Sequence, residues 1–255
     1  MAKIFVISSG KGGVGKTTTA INLGAAINKF GEDVVVVDAN LTTPNVGLHF
    51  GAPIVPVTLN HVLRDEAEIH EAIYQHESGT KIIPSDLSIK ELSIIRLDKI
   101  KNMINKLKNY SNYIVVDSPA GLGEDSLSVL DVADEIIIVT NPEVPAITDA
   151  LKTIKVAEEQ GKRVKGVIIN RVKMRDSEMT LANMRDMLET PVIALIPEDK
   201  NMQIALSRKD AIVHTHPRSK ASEAYKEAAG RLIGKNYKAN YKLWDRLKRN
   251  LGFGF

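Results

Sequence analysis

The sequence predicts an α/β fold: a mostly parallel, twisted sheet of about seven or eight strands with helices on both faces. Short apolar runs rich in Val and Ile recur along the chain, and segments with helical spacing lie between most of them. The runs are continuous rather than alternating, as is typical of strands that are covered on both faces. Strands that alternate with helices indicate parallel pairing through right-handed crossovers.

The predicted elements follow one another in a regular order. The strands are expected at 3–8, 33–38, 81–84, 113–117, 135–140, 166–170 and 191–196. The helices are expected at 16–29, 98–109, 123–132, 146–161, 177–188 and 219–233. Chemically suggestive residues come directly after several of these strands, and such folds bind phosphate groups at the carboxyl ends of their strands. The sequence therefore predicts a binding site at that edge of the sheet.

Composition narrows the classes of function. The chain has 255 residues, 44% of them hydrophobic and 25% charged, which is ordinary for one globular domain. It contains no cysteine, which excludes disulfides, thiol nucleophiles and an iron–sulphur cluster held by its own thiolates. The N-terminus lacks the apolar core of a signal peptide, and no run approaches the ~20 apolar residues of a membrane-spanning helix.

The formal net charge of +3 is unevenly distributed. Residues 235–255 contain six basic residues and one acidic residue, a net charge of +5, which leaves −2 for residues 1–234. The positive charge is therefore concentrated at the end of the chain. A nucleic-acid-binding domain more often has basic character of its own, so a nucleic-acid partner is not expected.

The segment GKGGVGKT at 10–17 fits the phosphate-loop pattern G-x-x-x-x-G-K-[ST]. It follows a predicted strand and opens a predicted helix, which is the context that supports the pattern. Glycines let backbone N–H groups face phosphate oxygens, and the helix N-terminus adds partial positive charge. We expect Lys16 to bind the β- and γ-phosphates and Thr17 to ligate Mg²⁺. The predicted phosphate-binding residues are Gly10, Lys11, Gly12, Gly13, Val14, Gly15, Lys16, Thr17 and Thr18.

A second lysine in this loop carries a resemblance. The sequence KGGVGKTT at 11–18 resembles the deviant phosphate loop of the MinD/ParA family of ATPases. In that family two subunits enclose two ATP molecules, and the early lysine reaches the nucleotide of the partner. The resemblance implies a P-loop NTPase fold of the SIMIBI type, ATP or ADP with Mg²⁺, and a homodimer in the ATP state. The resemblance implies that Lys11 is a catalytic cation that acts on the nucleotide of the partner subunit. The alternative is that Lys11 is a solvated loop lysine.

Two aspartates are expected to act with the loop. Asp117 ends the predicted strand YIVVD, and DSPAGLGE at 117–124 resembles the second switch of the MinD branch. We expect Asp117 to hold a Mg²⁺-bound water, although a strand-end aspartate can instead cap the next helix. Asp38 lies in VVVVDANLTTPN at 34–45, which matches the first switch of the family. The predicted metal ligands are Thr17, Asp38 and Asp117.

Asn40 departs from the family pattern. The family usually has a second aspartate two residues after the first, and this sequence has Asn40 there. An amide can hold a water molecule but cannot take its proton. Because phosphoryl transfer depends largely on positioning and charge stabilisation, we expect slow hydrolysis and long-lived ATP dimers. The predicted catalytic residues are Lys11, Lys16, Asp38 and Asn40.

The adenine site is expected after two later strands. The resemblance assigns Asn170, in GVIIN at 166–170, to the base, together with the adjacent Arg171. It assigns the loop of Pro197, Glu198 and Asp199 to the other side of the purine. A strand-end asparagine is also a common turn former, which is the alternative for Asn170.

The end of the chain is predicted to be a separate functional element. Residues 1–234 are expected to form the ATPase domain, and residues 235–255 a basic amphipathic helix that targets a membrane. The predicted membrane-binding residues are Tyr241, Leu243, Trp244, Leu247 and Leu251. Apolar groups on one face and cations on the other are typical of a helix at an anionic lipid surface, and MinD-branch proteins carry such a helix. Docking of this helix on its own domain or on a partner is the alternative.

Taken together, the residues and the resemblance predict an ATPase that dimerises on ATP and binds the inner face of the cell membrane from the cytoplasm. It is expected to position or restrict other assemblies in cell division, with an unidentified protein partner. Two alternatives stay open: a ParA-type DNA segregation ATPase on nonspecific DNA, and a nucleotide-locked scaffold without catalysis. ATP-dependent, salt-sensitive DNA binding would identify the first, and a lack of ATP turnover would identify the second.

Overall fold

Eight strands form one sheet in the computed structural model, which describes residues 2–86, 98–173 and 178–239. The strands are β1 (Lys3–Ser8), β2 (Val34–Asp38), β3 (Tyr74–Gln75), β4 (Lys81–Ile83), β5 (Tyr113–Asp117), β6 (Glu135–Thr140), β7 (Val164–Val172) and β8 (Val192–Pro197). Their order across the sheet is β3-β4-β2-β5-β1-β6-β7-β8. Neighbouring strands pair in parallel except for β3 and β4, which are antiparallel.

The seven predicted strands are all confirmed, and β3 is an addition. It contains two residues at the edge of the sheet, Tyr74 and Gln75, which pair with Ile82 and Lys81 of β4. A strand this short has no apolar run that could reveal it. Its tyrosine hydroxyl instead contacts the backbone of Val57, 2.9 Å from both the N and the O atom, which ties the edge to the preceding loop.

Ten α-helices accompany the strands in the described ranges. They are α1 (Lys16–Lys29), α2 (Val46–His49), α3 (Leu59–Leu63), α4 (Asp98–Leu107), α5 (Glu124–Leu130), α6 (Val144–Glu159), α7 (Leu181–Leu188), α8 (Asn201–Ser207), α9 (Ile212–Thr215) and α10 (Lys220–Ile233). A 3-10 helix lies at Ile69–Ala72. The six predicted helices are α1, α4, α5, α6, α7 and α10. The helices that the pattern did not predict have four to seven residues, too few to show a helical period.

The sheet separates two apolar cores because successive side chains of a strand point to opposite faces. In β1, Ile4 and Val6 belong to the core beneath α4, α5, α6 and α7. Phe5 and Ile7 belong to the core beneath α1, α9 and α10. Both faces of the central strands are therefore covered, which explains their continuous apolar sequences.

The described chain ends against the domain. Helix α10 stops at Gly234, whose φ of 73° is readily adopted by glycine. Residues 235–239 are not helical: Tyr237 packs edge-on against Phe30 and donates its hydroxyl to Glu223 Oε2 at 2.9 Å. The start of the predicted C-terminal helix therefore differs from the structure. The predicted membrane-binding positions, within 240–255, lie outside the described residues.

None of the helices in the described part of the chain is both long enough and apolar enough to cross a membrane.

Candidate nucleotide-binding site

The phosphate loop connects β1 to α1 at the carboxyl edge of the sheet. Helix α1 begins directly after Gly15, whose φ of 99° is open to glycine and costly for other residues. Gly10 faces α6, where a Cβ atom would lie 2.2 Å from the carbonyl oxygen of Asp149. Both positions therefore require glycine. The loop keeps the shape in which backbone N–H groups can surround a phosphate.

The two lysines of the loop have different environments. Lys16 is 8% exposed. Burial lowers its pKa, although the negative charge of Asp117 acts to raise it. Lys11 is exposed to solvent, as are the neighbouring Gly12 and Gly13. The Ser9 hydroxyl donates to the Lys11 carbonyl at 2.8 Å, which fixes the backbone that carries the exposed side chain. One lysine thus belongs to the interior of the site and the other to its surface.

The three predicted metal ligands lie on neighbouring elements. The Thr17 hydroxyl donates to Asp117 Oδ2 at 2.5 Å. Asp38 ends β2 and Asp117 ends β5, and the two residues are register partners between these parallel strands. Both aspartates are fully buried. The strand-end placement expected from the sequence therefore brings a hydroxyl and two carboxylates to one edge of the sheet.

This donor set suits Mg²⁺. Asp117 Oδ1 is buried and has no hydrogen-bond partner among the described residues. Burial raises the pKa of Asp117 to about 6, although the Thr17 hydrogen bond and the Lys16 charge act in the other direction. Burial and then the charge of Asp117 raise the pKa of Asp38 to about 8. Two buried carboxylates side by side are stabilised by a divalent cation, and Mg²⁺ prefers oxygen ligands.

Asp38 also organises the segment predicted to be the first switch. Its Oδ2 accepts hydrogen bonds from the N–H groups of Asn45 at 2.8 Å and Val46 at 2.9 Å, where α2 begins. Its Oδ1 accepts from the N–H of Asn40 at 3.2 Å. The Asn40 side chain closes the turn by donating to the carbonyl and the hydroxyl of Thr43, both at 2.9 Å. The sequence pattern does not reveal these loop contacts, which tie Asn40 and α2 to a single carboxylate.

The segment predicted to be the second switch is attached to β1 and the phosphate loop. The Ser118 hydroxyl donates to the Ile7 carbonyl at 2.9 Å. The Gly121 N–H donates to the Ser9 carbonyl at 2.9 Å, and its φ of 86° is one that glycine readily adopts. The segment that follows Asp117 is therefore joined directly to the phosphate loop at Ser9.

A cavity of about 630 Å³ lies beside the start of α1, and its volume suits a small-molecule ligand. Its lining residues are Gly15, Thr18, Asn170, Arg171, Pro197, Glu198, Asp199, Lys200, Met202 and Gln203. All five residues predicted for the adenine side are therefore brought together. Sequence reasoning missed Lys200, Met202 and Gln203. They lie at or in α8, which is too short for its pattern to reveal it.

The loop after β8 is held at several points. The Glu198 N–H donates to the Val172 carbonyl at 3.0 Å, and the Glu198 carboxylate lies 3.3 Å from Lys173 Nζ. Asp199 Oδ1 accepts from the N–H of Asn201 at 2.9 Å, at the start of α8. These contacts fix one wall of the cavity to β7 and to the following helix.

Comparisons with known proteins agree with this architecture. The ParA family model, described as NUBPL iron-transfer P-loop NTPase, matches residues 1–233. An uncharacterized ATP-binding protein of Methanocaldococcus jannaschii is 37% identical over 242 residues, which cover 95% of this chain and 92% of that protein. The septum site-determining protein MinD of Synechocystis is 30% identical over 264 residues, which cover 98% of this chain and 99% of that protein.

Solved structures give the same result. MinD from Pyrococcus horikoshii, complexed with Mg-ADP, has a TM-score of 0.87 and 32% identity and covers 91% of this chain and 96% of its own. The MinC:MinD complex of Aquifex aeolicus gives a TM-score of 0.85 and 31% identity and covers 94% of this chain and 99% of the matched chain. The predicted fold and the cofactors ATP or ADP with Mg²⁺ are confirmed. The chain therefore belongs to the ParA family of P-loop NTPases and is similar to the MinD cell-division ATPases within it.

Proposed function

We propose that this chain is an ATP-dependent dimerising switch ATPase that binds a membrane reversibly and positions other assemblies in cell division. The observation that carries the proposal is the contrast between the two loop lysines, because Lys16 is buried beside Asp117 whereas Lys11 is exposed. Lys16 and the loop backbone suffice for the phosphates of their own subunit. An exposed second cation is available to the nucleotide of a facing subunit, where it stabilises developing charge. A two-fold axis supplies Lys11 to both sites.

Within one subunit the site residues have distinct roles. Lys16 and the loop N–H groups bind the phosphates, and Thr17 and Asp117, with Asp38 beside them, would hold Mg²⁺. When bound, Mg²⁺ neutralises charge on the phosphate oxygens. Asn40 orients a water molecule and cannot accept its proton, so hydrolysis is slow and the ATP-bound dimer is long-lived.

A complementation experiment tests whether Lys11 acts in trans. Lys11→Ala lacks the donated cation, and Asp38→Asn retains Lys11 but has an impaired site of its own. We expect each variant alone to be nearly inactive and their equal mixture to recover ATP hydrolysis. Recovery is expected because the intact site of the Lys11→Ala subunit then receives Lys11 from its partner.

The matched control replaces the donor by the double variant Lys11→Ala/Asp38→Asn, and this mixture is expected to stay inactive. Hydrolysis by Lys11→Ala alone at the parent rate contradicts the proposal. So does analytical ultracentrifugation that finds single subunits at saturating Mg·ATP.

Membrane binding is proposed for the end of the chain. The net charge of +5 on residues 235–255 contrasts with −2 on residues 1–234. Each basic residue near an anionic surface contributes on the order of 1 kcal/mol, so one segment binds weakly. Two segments on one dimer bind with avidity. Nucleotide-dependent dimerisation then controls association with the inner face of the cell membrane.

Vesicle sedimentation tests this part of the proposal. We expect the full chain to sediment with anionic phosphatidylglycerol vesicles in ATP, to bind weakly in ADP, and to lose binding when residues 240–255 are removed. Trp244→Lys separates insertion from charge attraction, because it removes an apolar group while adding a cation; we expect weaker binding. Vesicle binding that is equal in ATP and ADP and is unchanged by the truncation contradicts the proposal.

The same assay with nonspecific duplex DNA in place of vesicles tests the ParA-type alternative.

A protein partner is part of the same proposal. The MinD chain of Aquifex aeolicus forms a complex with MinC. We infer that this chain likewise acts through a protein that recognises its ATP-bound dimer, since a switch needs a component that reads its state.

A further inference from the structure

Asn170 joins the base cavity to the phosphate loop. Its side-chain Nδ2 donates to the Val14 carbonyl at 2.9 Å, and the residue is 5% exposed. We propose that Asn170 is a positioning residue for the phosphate loop, in addition to the adenine contact predicted for it. This inference deepens the nucleotide-binding part of the proposed function and rests on it, and it is independent of dimerisation and membrane binding.

The orientation of the Asn170 amide is set by its neighbour. The Arg171 N–H donates to Asn170 Oδ1 at 2.9 Å. Arg171 has a φ of 56°, a left-handed conformation that is uncommon for a residue with a side chain and costs energy. With its oxygen held by this N–H, the amide directs Nδ2 toward Val14. An amide nitrogen has two hydrogens, so the same group can serve the loop and a ligand in the cavity.

Gly15 permits the close approach of this amide. A Cβ atom on Gly15 would lie 2.2 Å from Asn170 Nδ2. The Gly15 carbonyl in turn accepts the Thr19 N–H at 2.9 Å, in the first turn of α1. Asn170 therefore contacts the segment that positions Lys16 and Thr17. Loss of the Asn170 amide removes this hydrogen bond between β7 and the phosphate loop, although the two segments are far apart in sequence.

A ligand without a base separates the two roles of Asn170. Mg²⁺ and inorganic tripolyphosphate occupy the phosphate loop but make no adenine contact. We expect Asn170→Ala to bind tripolyphosphate about five- to tenfold more weakly than the parent in isothermal titration calorimetry, the effect of losing one buried hydrogen bond. Met202→Ala, at the cavity wall, is the matched control. We expect it to weaken ADP binding while tripolyphosphate binding stays at the parent value.

Hydrogen exchange of the nucleotide-free protein gives a readout that needs no ligand. We expect Asn170→Ala to speed exchange at Thr19 and in the first turn of α1, and Met202→Ala to leave it unchanged. Asn170→Asp is a second variant of the same size. Its carboxylate still accepts the Arg171 N–H but cannot donate to Val14, so we expect a loss of tripolyphosphate affinity at least as large.

Parent-like tripolyphosphate affinity together with parent-like exchange in both Asn170 variants would overturn the inference and leave Asn170 with a base contact alone. That result would leave ADP binding by the parent protein intact, so it differs from a failure of the proposed nucleotide-binding function. Circular dichroism of each variant confirms that the affinities compare folded proteins.

Discussion

Buried carboxylates occur at both edges of the sheet, and their surroundings differ. At the amino edge, Glu135 begins β6 and is 3% exposed. Its Oε2 lies 2.9 Å from Lys3 Nζ, and its Oε1 lies 3.2 Å from an Arg163 nitrogen and 3.5 Å from Lys165 Nζ. Three cations from β1, β7 and the segment before β7 therefore surround one carboxylate. This edge compensates its buried charge with residues of the chain itself.

At the carboxyl edge the buried charges are only partly compensated. Asp38 and Asp117 lie side by side, and the charge of Lys16 acts on Asp117. Burial raises the pKa of both aspartates, and their mutual repulsion adds to the effect at Asp38. The amino edge is therefore arranged for stability and the carboxyl edge for a ligand. The unfavourable electrostatics of the second are relieved when Mg²⁺ and nucleotide bind.

The largest expected effect comes from removing a charge at the ligand edge. Asp117→Asn keeps an acceptor for the Thr17 hydroxyl but loses the carboxylate that suits Mg²⁺. We expect ATP hydrolysis to fall about a hundredfold or more. The nucleotide-free protein should become more stable by about 1 to 2 kcal/mol, because a buried charge is gone. Calorimetric unfolding in EDTA and an ATPase assay measure the two effects. A nucleotide-free variant less stable than the parent would show that the buried charge of Asp117 does not destabilise this edge.

The opposite result is expected at the amino edge. Glu135→Gln leaves three cations facing a neutral side chain, and we expect a loss of roughly 2 to 3 kcal/mol in the free energy of unfolding. The value lies below that of a fully buried pair because all three cations are partly exposed. ATP turnover of the folded protein should be unchanged. Urea unfolding measures the loss, and a stability equal to that of the parent contradicts this assignment.

How far each edge could be predicted from the sequence also differs. The sequence predicted that Gly15, Lys16 and Asp117 lie at the carboxyl edge, and the structure has them there. Each lies at or after the end of a strong apolar strand, and parallel strands bring their carboxyl ends to one edge. The Glu135 cluster could not be predicted in this way. It depends on β1, β6 and β7 being neighbours, and the order of strands is not encoded in any local pattern.

Contacts that depend on backbone conformation were likewise hidden. The hydrogen bond from Asn170 to Val14 occurs beside the positive φ of Arg171, and an arginine gives no signal for that conformation. Tyr237 lies within the predicted C-terminal helix of residues 235–255, yet it is not helical and contacts Phe30 and Glu223. Helical spacing cannot show where a helix stops, although Gly234 before it is a recognisable C-terminal signal. The conformation at such positions depends on contacts with residues that are far away in the sequence.

A smaller difference between the two edges is expected in how stability depends on pH. The folded-state pKa values of Asp38 and Asp117, about 8 and about 6, lie above the ordinary value of 3.8. The folded state therefore holds these protons more tightly than the unfolded state. The contribution of these two aspartates to stability is fully present below the pKa of 3.8 in the unfolded chain. It is lost as the pH rises through their folded-state pKa values of about 6 and about 8.

We expect the nucleotide-free, metal-free protein to lose about 1 to 2 kcal/mol of stability over that pH range. Asp117→Asn should show a smaller loss, and Glu135→Gln the same loss as the parent. Thermal unfolding in EDTA across this range measures the slope. A parent protein whose stability rises with pH there would contradict the electrostatic account of the carboxyl edge.

The smallest expected effect concerns Asn40, which stands where the family resemblance predicts a second carboxylate. Asn40→Asp supplies a group that can both orient water and accept its proton. It also removes the amide that donates to the Thr43 carbonyl and hydroxyl, so the turn that follows Asp38 loosens. The gain is therefore limited, and we expect ATP turnover to rise about threefold to tenfold, with a shorter lifetime of the ATP-bound dimer. Single-turnover hydrolysis and dimer dissociation after dilution measure the two quantities.

Asn40→Ala is the control, since it loosens the same turn without adding a base. Its ATP turnover should be slower than that of the parent. Equal turnover in Asn40→Asp and the parent would mean that proton acceptance at this position does not limit hydrolysis.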